Sequence, residues 1–330
     1  MKSFAKMALV AAVMCVCALP LVGQQAQTPA RAGAPGAAVP AQAQGNAAPR
    51  VTQGGTGPIK MLLITKTHPF DREPFYQMYD SFGADVTWMH VEQPAAEKLL
   101  SPKYASMYNV AVFYDLDGSQ RELGRSTPGA NGGPTTYAPP PADLQANFKA
   151  LLQQGKGMLF THHAIASWVH NWPEYVEVMG GACDWGTAIN IRGVQHPNSG
   201  FFGMTPQHIT VVDKAHPITQ GIGDGFDITD ESYSCPMFED TVHPLLRTDF
   251  VPADHNRNLA ASWKYSNLAG WVKTAENSPV AYIQMGHGPA AWINPVYRKL
   301  LLNAIKWTAS PEALAWAKAN PTKIFKSSTN

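Results

Sequence analysis

The stretch GKGMLFTHHA, Gly155–Ala164, decides the fold. Gly155 ends an amphipathic pattern that predicts a helix over Pro141–Gln154, with Leu144, Phe148, Leu151 and Leu152 on one face. Gly157–His162 is then a short apolar run of the kind that forms a strand buried on both faces. A second helical stretch, Ala164–Met179, follows at once. Helix, buried strand and helix in that order imply a parallel βαβ unit with a right-handed crossover.

The same alternation extends outward on both sides. Ile59–Thr65, Ala84–His90 and Asn109–Leu116 read as buried strands, and Asp71 can cap a helix running through Phe82. Gly118–Pro140 interrupts them with Gly, Pro, Ser and Thr, at a length that suggests a surface insertion or lid. The second half holds short strands at Ile189–Val194, His208–Val212, Leu259–Tyr265 and Val280–Met285. Asn294–Thr308 is a closing helix and Pro311–Ala319 another. These residues predict an α/β, doubly wound, mostly parallel sheet over 58–310, with a helix and tail over 311–330.

The chain has 330 residues, 45% of them hydrophobic, 15% charged, and a formal net charge of +1. That charge excludes a strongly basic nucleic-acid binder or a polybasic membrane clamp as the default. Residues 1–23 read as a secretory signal peptide, with Lys2 and Lys6 before the apolar run Ala8–Leu19 and small residues at Leu21-Val22-Gly23. The run is short for a membrane span, so a cleaved signal and a secreted or periplasmic protein is the expectation, with an uncleaved anchor as the alternative. Residues 24–57, rich in Ala, Pro, Gln and Gly, read as a flexible linker. Cys183 and Cys235 remain after the leader, and sequence leaves open a disulfide or two buried thiols.

Open α/β sheets place ligands at the carboxyl ends of their parallel strands, where His162 and His163 sit. A sharp strand-to-helix turn at that point carries Ser or Cys in many hydrolases. Imidazole there can move a proton near neutral pH or hold a metal. The plainer reading is one packed and one capping histidine. Asp230-Glu231-Ser232-Tyr233 offers two carboxylates and a phenol for proton transfer, sugar binding or metal ligation, or else an acidic turn. Gly286-His287-Gly288 lets the backbone turn sharply beside a ligand, or is an ordinary turn. Trp168, Trp172 and Trp185 are the tryptophans nearest the histidine pair in sequence and candidates to stack on a sugar ring. No Walker loop and no strand-linked GxGxxG is present, so no nucleotide is expected.

Together GKGMLFTHHA (Gly155–Ala164), NWPEYVEVMGG (Asn171–Gly181), HPIT (His216–Thr219), DESY (Asp230–Tyr233), GHG (Gly286–Gly288) and the closing helix with Asn303 and Trp307 resemble the ThuA-like, trehalose-utilization family. That family is related in fold to class I glutamine amidotransferases. The resemblance runs from about Ile59 to Ala309. It implies a flavodoxin-like sheet whose amidotransferase nucleophile has been lost. The elbow position then falls on His162 or His163, the acidic motif on Asp230 and Glu231, and the glycine-flanked histidine on His287. One departure stands out: Thr65-Lys66-Thr67 and Phe70 match the family pattern, but Asp71-Arg72 replaces its Arg-His pair, so His68 would have to supply that imidazole.

The resemblance implies an enzyme of carbohydrate utilization, a sugar isomerase, lyase or hydrolase and not a glutamine amidotransferase, acting on a keto-sugar or glycoside. His162, His163, Glu231 and His287 are the expected acid–base residues, and Tyr233, Asp230, Trp168 and His68 the expected substrate contacts. His162, Glu231 and His287 could instead hold a divalent metal such as zinc. The alternatives are a non-catalytic carbohydrate-binding or scaffold domain, and an amidase or peptidase using Cys183 or Ser167. The expected partner is a small-molecule carbohydrate, with no nucleic acid and no stable membrane insertion after signal cleavage.

Overall fold

A computed structural model describes residues 53–66, 68–116, 126–127, 136–250 and 266–325. The expected leader (1–23), all of the expected linker before Gln53, most of the Gly118–Pro140 insertion and the strand expected at Leu259–Tyr265 lie outside the described residues.

The strands are β1 Gln53–Gly54, β2 Ile59–Thr65, β3 Val86–Glu92, β4 Val110–Tyr114, β5 Ser126–Thr127, β6 Thr136–Tyr137, β7 Gly157–Thr161, β8 Ile189–Ile191, β9 Val194–His196, β10 Gly200–Val211, β11 Gly225–Ser234, β12 His243–Thr248, β13 Leu268–Ala275 and β14 Ser278–Ile283. The helices are α1 Arg72–Asp80, α2 Ala95–Leu99, α3 Ala142–Gln154, α4 Pro173–Met179, α5 Pro289–Trp292, α6 Pro295–Thr308 and α7 Pro311–Ala319. Among the described residues ten strands form one sheet in the order β1-β3-β2-β4-β7-β14-β13-β12-β10-β11, while β5-β6 and β8-β9 pair separately.

The centre of that sheet, β3-β2-β4-β7-β14, is parallel throughout. Its strands are apolar on both faces because both are covered. In β2, Leu62 and Ile64 join the core under α3 and α4, while Met61 and Leu63 join the core under α1 and α6. This is the doubly wound arrangement the alternating pattern predicts. From β13 onward the sheet continues antiparallel. Strands β12 and β13 and the full length of β11 extend it beyond the strands read from sequence.

Three local expectations need correction. The expected linker gives way at Gln53, because β1 pairs antiparallel with β3, Gln53 opposite Met89 and Gly54 opposite Trp88. The glycines there serve close packing: a Cβ on Gly54 would meet the Trp88 ring, and one on Gly57 the Asp85 backbone. The single helix expected over Ala164–Met179 is instead a 3-10 turn, His162–Ala166, followed by α4. Pro173 lacks an N–H and so begins a helix rather than continuing one. The hairpin β8-β9 replaces the single strand expected at Ile189–Val194.

Closing helix α6 starts where Asn294 accepts hydrogen bonds from the Val296 and Tyr297 amides. Among the described residues no helix is long and apolar enough to cross a membrane. Cys183 and Cys235 are bonded, with Cα atoms 5.2 Å apart and a separation of 52 positions in sequence. Closing a loop of that length restricts the unfolded chain, so reducing the bond, or replacing both cysteines by Ala, should cost about 2–4 kcal/mol. Denaturant midpoints with and without reductant measure this; coincident midpoints would exclude the bond.

Candidate active site

Strands β7 and β14 are parallel neighbours with Thr161 in register with Ile283. The residues just past them, His162 and Gln284, therefore lie side by side at the carboxyl edge of the sheet. His162 is buried at 0% exposure and has φ +54°, in the left-handed region that non-glycine residues rarely occupy. This strained turn is the elbow, and it selects His162 over His163 for that position. The Gln284 carbonyl lies 3.0 Å from His162 Nδ1 and can only accept, so Nδ1 carries a proton. His162 Nε2 then faces the Tyr233 hydroxyl at 2.9 Å, His287 Nδ1 at 3.3 Å and Glu231 Oε2 at 3.4 Å. The Tyr282 hydroxyl donates to the His162 carbonyl at 2.9 Å and steadies the turn.

Glu231 and Tyr233 stand two apart on β11 and so share a face. The Glu231 carboxylate lies 3.2 Å from His287 Nδ1 and 3.0 Å from the Tyr233 hydroxyl, which can donate to it. Burial alone would raise the Glu231 pKa, but hydrogen bonds from His162 and His287 outweigh it and hold the group well below the usual carboxylate range. The same hydrogen bond raises His287 above 6.5, against the opposing effect of its burial. Directing Nδ1–H at Glu231 leaves Nε2 of His287 for another partner. At 29% side-chain exposure, His287 is the most open of the three. Ligand atoms of His162, Glu231 and His287 all lie within 4.8 Å of one another.

Asp230 is spent on backbone. Its carboxylate accepts from the amides of Gly286 at 2.6 Å, His287 at 3.1 Å and Glu231 at 2.9 Å. It therefore fixes the Gly286-His287 turn, which corrects the expectation that it meets substrate. Gly286 has φ +133°, and a Cβ there would run into the Tyr297 hydroxyl, so this turn needs glycine. Trp292 Nε1 donates to the Gly286 carbonyl at 2.9 Å, and the Tyr114 hydroxyl to that of His287 at 3.3 Å.

His68, the histidine nearest the Asp71-Arg72 departure in sequence, lies beside the cluster. Its ring centroid is 4.6 Å from that of His163, 5.3 Å from His287 and 6.4 Å from His162. Burial, then electrostatic coupling to the neighbouring His162 and His287 imidazoles, pushes its pKa down to about 4. His163 stands beside the triad, not in it. Its Nδ1 lies 3.3 Å from the Asp115 carbonyl and its ring packs 4.3 Å from Tyr114. Burial, then His162, holds it well below 6.5, which makes it a weak base at neutral pH. Tyr233, expected to orient substrate hydroxyls, points into the triad and is 3% exposed.

Trp168 belongs to the core at 1% exposure, edge-on to Trp172 with ring centroids 5.9 Å apart. Proximity in sequence is a poor guide here, because the chain turns inward after the elbow. Of the three tryptophans near the elbow in sequence, Trp185 is the one beside the site, 5.0 Å from the Tyr233 ring. The two nucleophiles of the amidase reading fare no better. Cys183 has no thiol, being in the disulfide, and the Ser167 hydroxyl is 0% exposed and donates to the Asp115 carbonyl at 3.2 Å. Sequence reasoning misses Gln284 and Tyr282 because each looks like ordinary strand sequence.

A doubly wound α/β sheet with a strained elbow at the carboxyl end of a central strand is the flavodoxin-like architecture that the family resemblance implies, here with histidine at the elbow. The trehalose-utilisation family model, ThuA, matches residues 75–308, and the chain belongs to that family. Among solved structures it is similar to a ThuA-like protein of Parabacteroides merdae, at 17% identity and TM-score 0.54, covering 77% of this chain and 90% of that one. A ThuA-like protein of Bacteroides uniformis aligns at 18% identity and TM-score 0.49, covering 76% and 91%. A cytoplasmic protein of Salmonella typhimurium aligns at 12% and TM-score 0.47, covering 76% and 99%. No curated protein matches.

Because Glu231 raises the His287 pKa, that ion pair's contribution to stability is complete below pH 6.5 and is lost as pH rises through the folded value. In Glu231→Gln, the His287 ring resonances should titrate at lower pH than in the wild type. An unmoved titration would show that the two groups are not paired in solution.

Proposed function

We propose that this protein is an enzyme of carbohydrate utilization that moves a proton next to the carbonyl of a keto-sugar or keto-glycoside. The observation that carries the reading is the His162–Glu231–His287 cluster at the elbow, where Glu231 turns one nitrogen of His287 inward and leaves the other for substrate. A C–H beside a carbonyl is acidic enough for imidazole once the developing enolate is stabilised. His287 takes that proton through Nε2, and the electron pair of the broken C–H bond moves onto the carbonyl oxygen. Glu231 stabilises the resulting imidazolium. His162 and Tyr233 keep Glu231 and His287 in register and exclude water from their inner side. Returning the proton to the same carbon from the opposite face gives the epimer; where that carbon carries a hydroxyl, passing the hydroxyl proton to the original carbonyl oxygen and the imidazolium proton to the former carbonyl carbon moves the carbonyl by one position; and expelling a glycosidic oxygen β to the carbonyl, protonated by the imidazolium as it leaves, gives elimination, with addition of water to the resulting double bond completing a hydrolysis.

The donor set also fits a zinc-type ion, since two imidazoles and a carboxylate within 4.8 Å leave a coordination position open. Bound there, such an ion would polarise the carbonyl oxygen. We place the protein in the secreted or periplasmic compartment. The Lys2, Lys6 and Ala8–Leu19 pattern and the Cys183–Cys235 bond, which persists in oxidising surroundings, support this. N-terminal sequencing of the exported protein should find residues 1–23 removed.

Incubation with 3-keto-trehalose and related keto-sugars, followed by NMR in deuterated water, tests the reaction. Deuterium should appear next to the carbonyl. His287→Ala and Glu231→Gln should each slow exchange by 10²-fold or more, within the roughly 10²–10⁴ range of general acid–base catalysis. Binding without exchange, indifferent to both variants, would favour a non-catalytic carbohydrate-binding domain. Elemental analysis of chelator-free protein should find stoichiometric metal that falls in His162→Ala if the ion belongs to the site; none in either protein would remove the ion.

A further inference from the structure

Moving a carbonyl by one position takes two groups at the substrate. One takes the carbon-bound proton, and the other carries a proton from the neighbouring hydroxyl to the original carbonyl oxygen. Most polar groups of the cluster are committed elsewhere. Asp230 is held by three backbone amides, and the Tyr233 hydroxyl, on a side chain 3% exposed, is shared between His162 and Glu231. His162 and His163 are 0% and 1% exposed, each with Nδ1 on a backbone carbonyl. The imidazoles of the cluster that reach solvent are His287 and the half-buried His68.

His68 also stands where the topology opens a crevice. The strand order β3-β2-β4 means that the chain leaves β2 toward one side, to β3, and comes back on the other side, to β4. Loops that part in this way leave a ligand crevice at the carboxyl ends of the two strands. His68 lies in the loop that follows β2, and Tyr114 ends β4 across the crevice. Phe70 anchors that loop, edge-on to Tyr114 at 5.8 Å and 4.5 Å from Phe75 of α1. Tyr114 in turn donates to the His287 carbonyl. The His68 ring is edge-on to His287, with centroids 5.3 Å apart. A hydroxyl on the carbon that faces His287 is one bond from that carbon, within reach of a ring at this distance.

We infer that His68 is a second catalytic residue, which carries the hydroxyl proton of an α-hydroxyketone to the original carbonyl oxygen. This rests on the proton-transfer reading above and narrows it to migration of the carbonyl. His68 Nδ1 is buried, so Nε2 is the nitrogen a substrate meets. His163 donates Nδ1–H to the Asp115 carbonyl, so its Nε2 is a lone pair; that atom is buried without a partner, in a ring 4.6 Å from His68. A proton on His68 Nδ1 is next to an acceptor there, which leaves the lone pair of His68 on Nε2. His287 first takes the carbon-bound proton, and the electron pair moves onto the carbonyl oxygen. His68 Nε2 then takes the proton of the neighbouring hydroxyl and gives it to that oxygen. The pair left on the hydroxyl oxygen forms the new C=O, and the carbon–carbon double bond takes the proton back from His287 at the former carbonyl carbon. Both histidines end as they began, and no oxidant or reductant is consumed.

NMR of the full chain with 3-keto-trehalose in deuterated water separates the two proton carriers. Carbon spectra report the position of the carbonyl, and deuterium reports opening of the C–H bond. His68→Gln and His68→Asn should slow carbonyl movement by roughly 10²-fold or more and leave deuterium exchange within about threefold of the wild type. Persisting exchange also certifies that the variants are folded. His287→Ala should slow both. Equal loss of exchange and movement in His68 variants whose thermal melts match the wild type, or no loss of either, would overturn the assignment of His68. Wild-type exchange with the carbonyl staying in place would overturn it too, and would keep the proton-abstraction reading. Movement lost in His68→Gln but undiminished in His287→Ala would do the reverse, removing His287 as the base and keeping His68. Neither exchange nor movement in the wild type would overturn both.

Discussion

A carboxylate kept ionised where little water reaches it must be met by positive or hydrogen-donating groups, and Glu231 is met by two imidazoles and a phenol. Most of the architecture at the carboxyl edge of the sheet serves that requirement. The strained elbow aims His162, and Tyr282 and the Gln284 carbonyl fix its backbone and tautomer. Asp230 ties the Gly286-His287 turn to the strand that carries Glu231. The two adjacent carboxylates thus have different tasks, one electrostatic and one architectural.

Their environments explain the division. Asp230 accepts three backbone amides, yet burial dominates and its pKa is raised. Glu231 faces imidazoles, whose hydrogen bonds override burial and depress it. The histidines divide in the same way. His287 has a carboxylate partner and is raised, whereas His163 and His68 meet mainly burial and other imidazoles and are lowered. Four histidines within one cluster are therefore not four equivalent bases.

The parallel centre of the fold was legible because its strands, buried on both faces, leave near-continuous apolar runs, and its helices carry a 3.6-residue stripe. The antiparallel extension was harder to read. β12 and β13 do not show the alternation that marks a half-buried strand, and the residues of β11 were legible only as a chemical motif. The linker boundary was misplaced because glycine looks the same whether it gives freedom or permits close approach, as at Gly54 and Gly57. The continuous helix failed at Pro173, where the missing N–H makes a start and not an interior.

The sequence by itself determined the class of fold, the family, and the inventory of imidazoles and carboxylates that could do chemistry. Residue type and local periodicity suffice for these, since each is written within a short window. Tertiary structure alone decided which of those groups meet. His162, Glu231 and His287 stand 69 and 56 positions apart in the chain. Their convergence depends on parallel strands ending at one edge and on a long antiparallel ribbon reaching back to it. Only that convergence separates His287, paired with a carboxylate, from His163 beside it, and the Trp185 against the site from the Trp168 in the core. Partner and solvent access, not residue type, set the chemistry of each side chain.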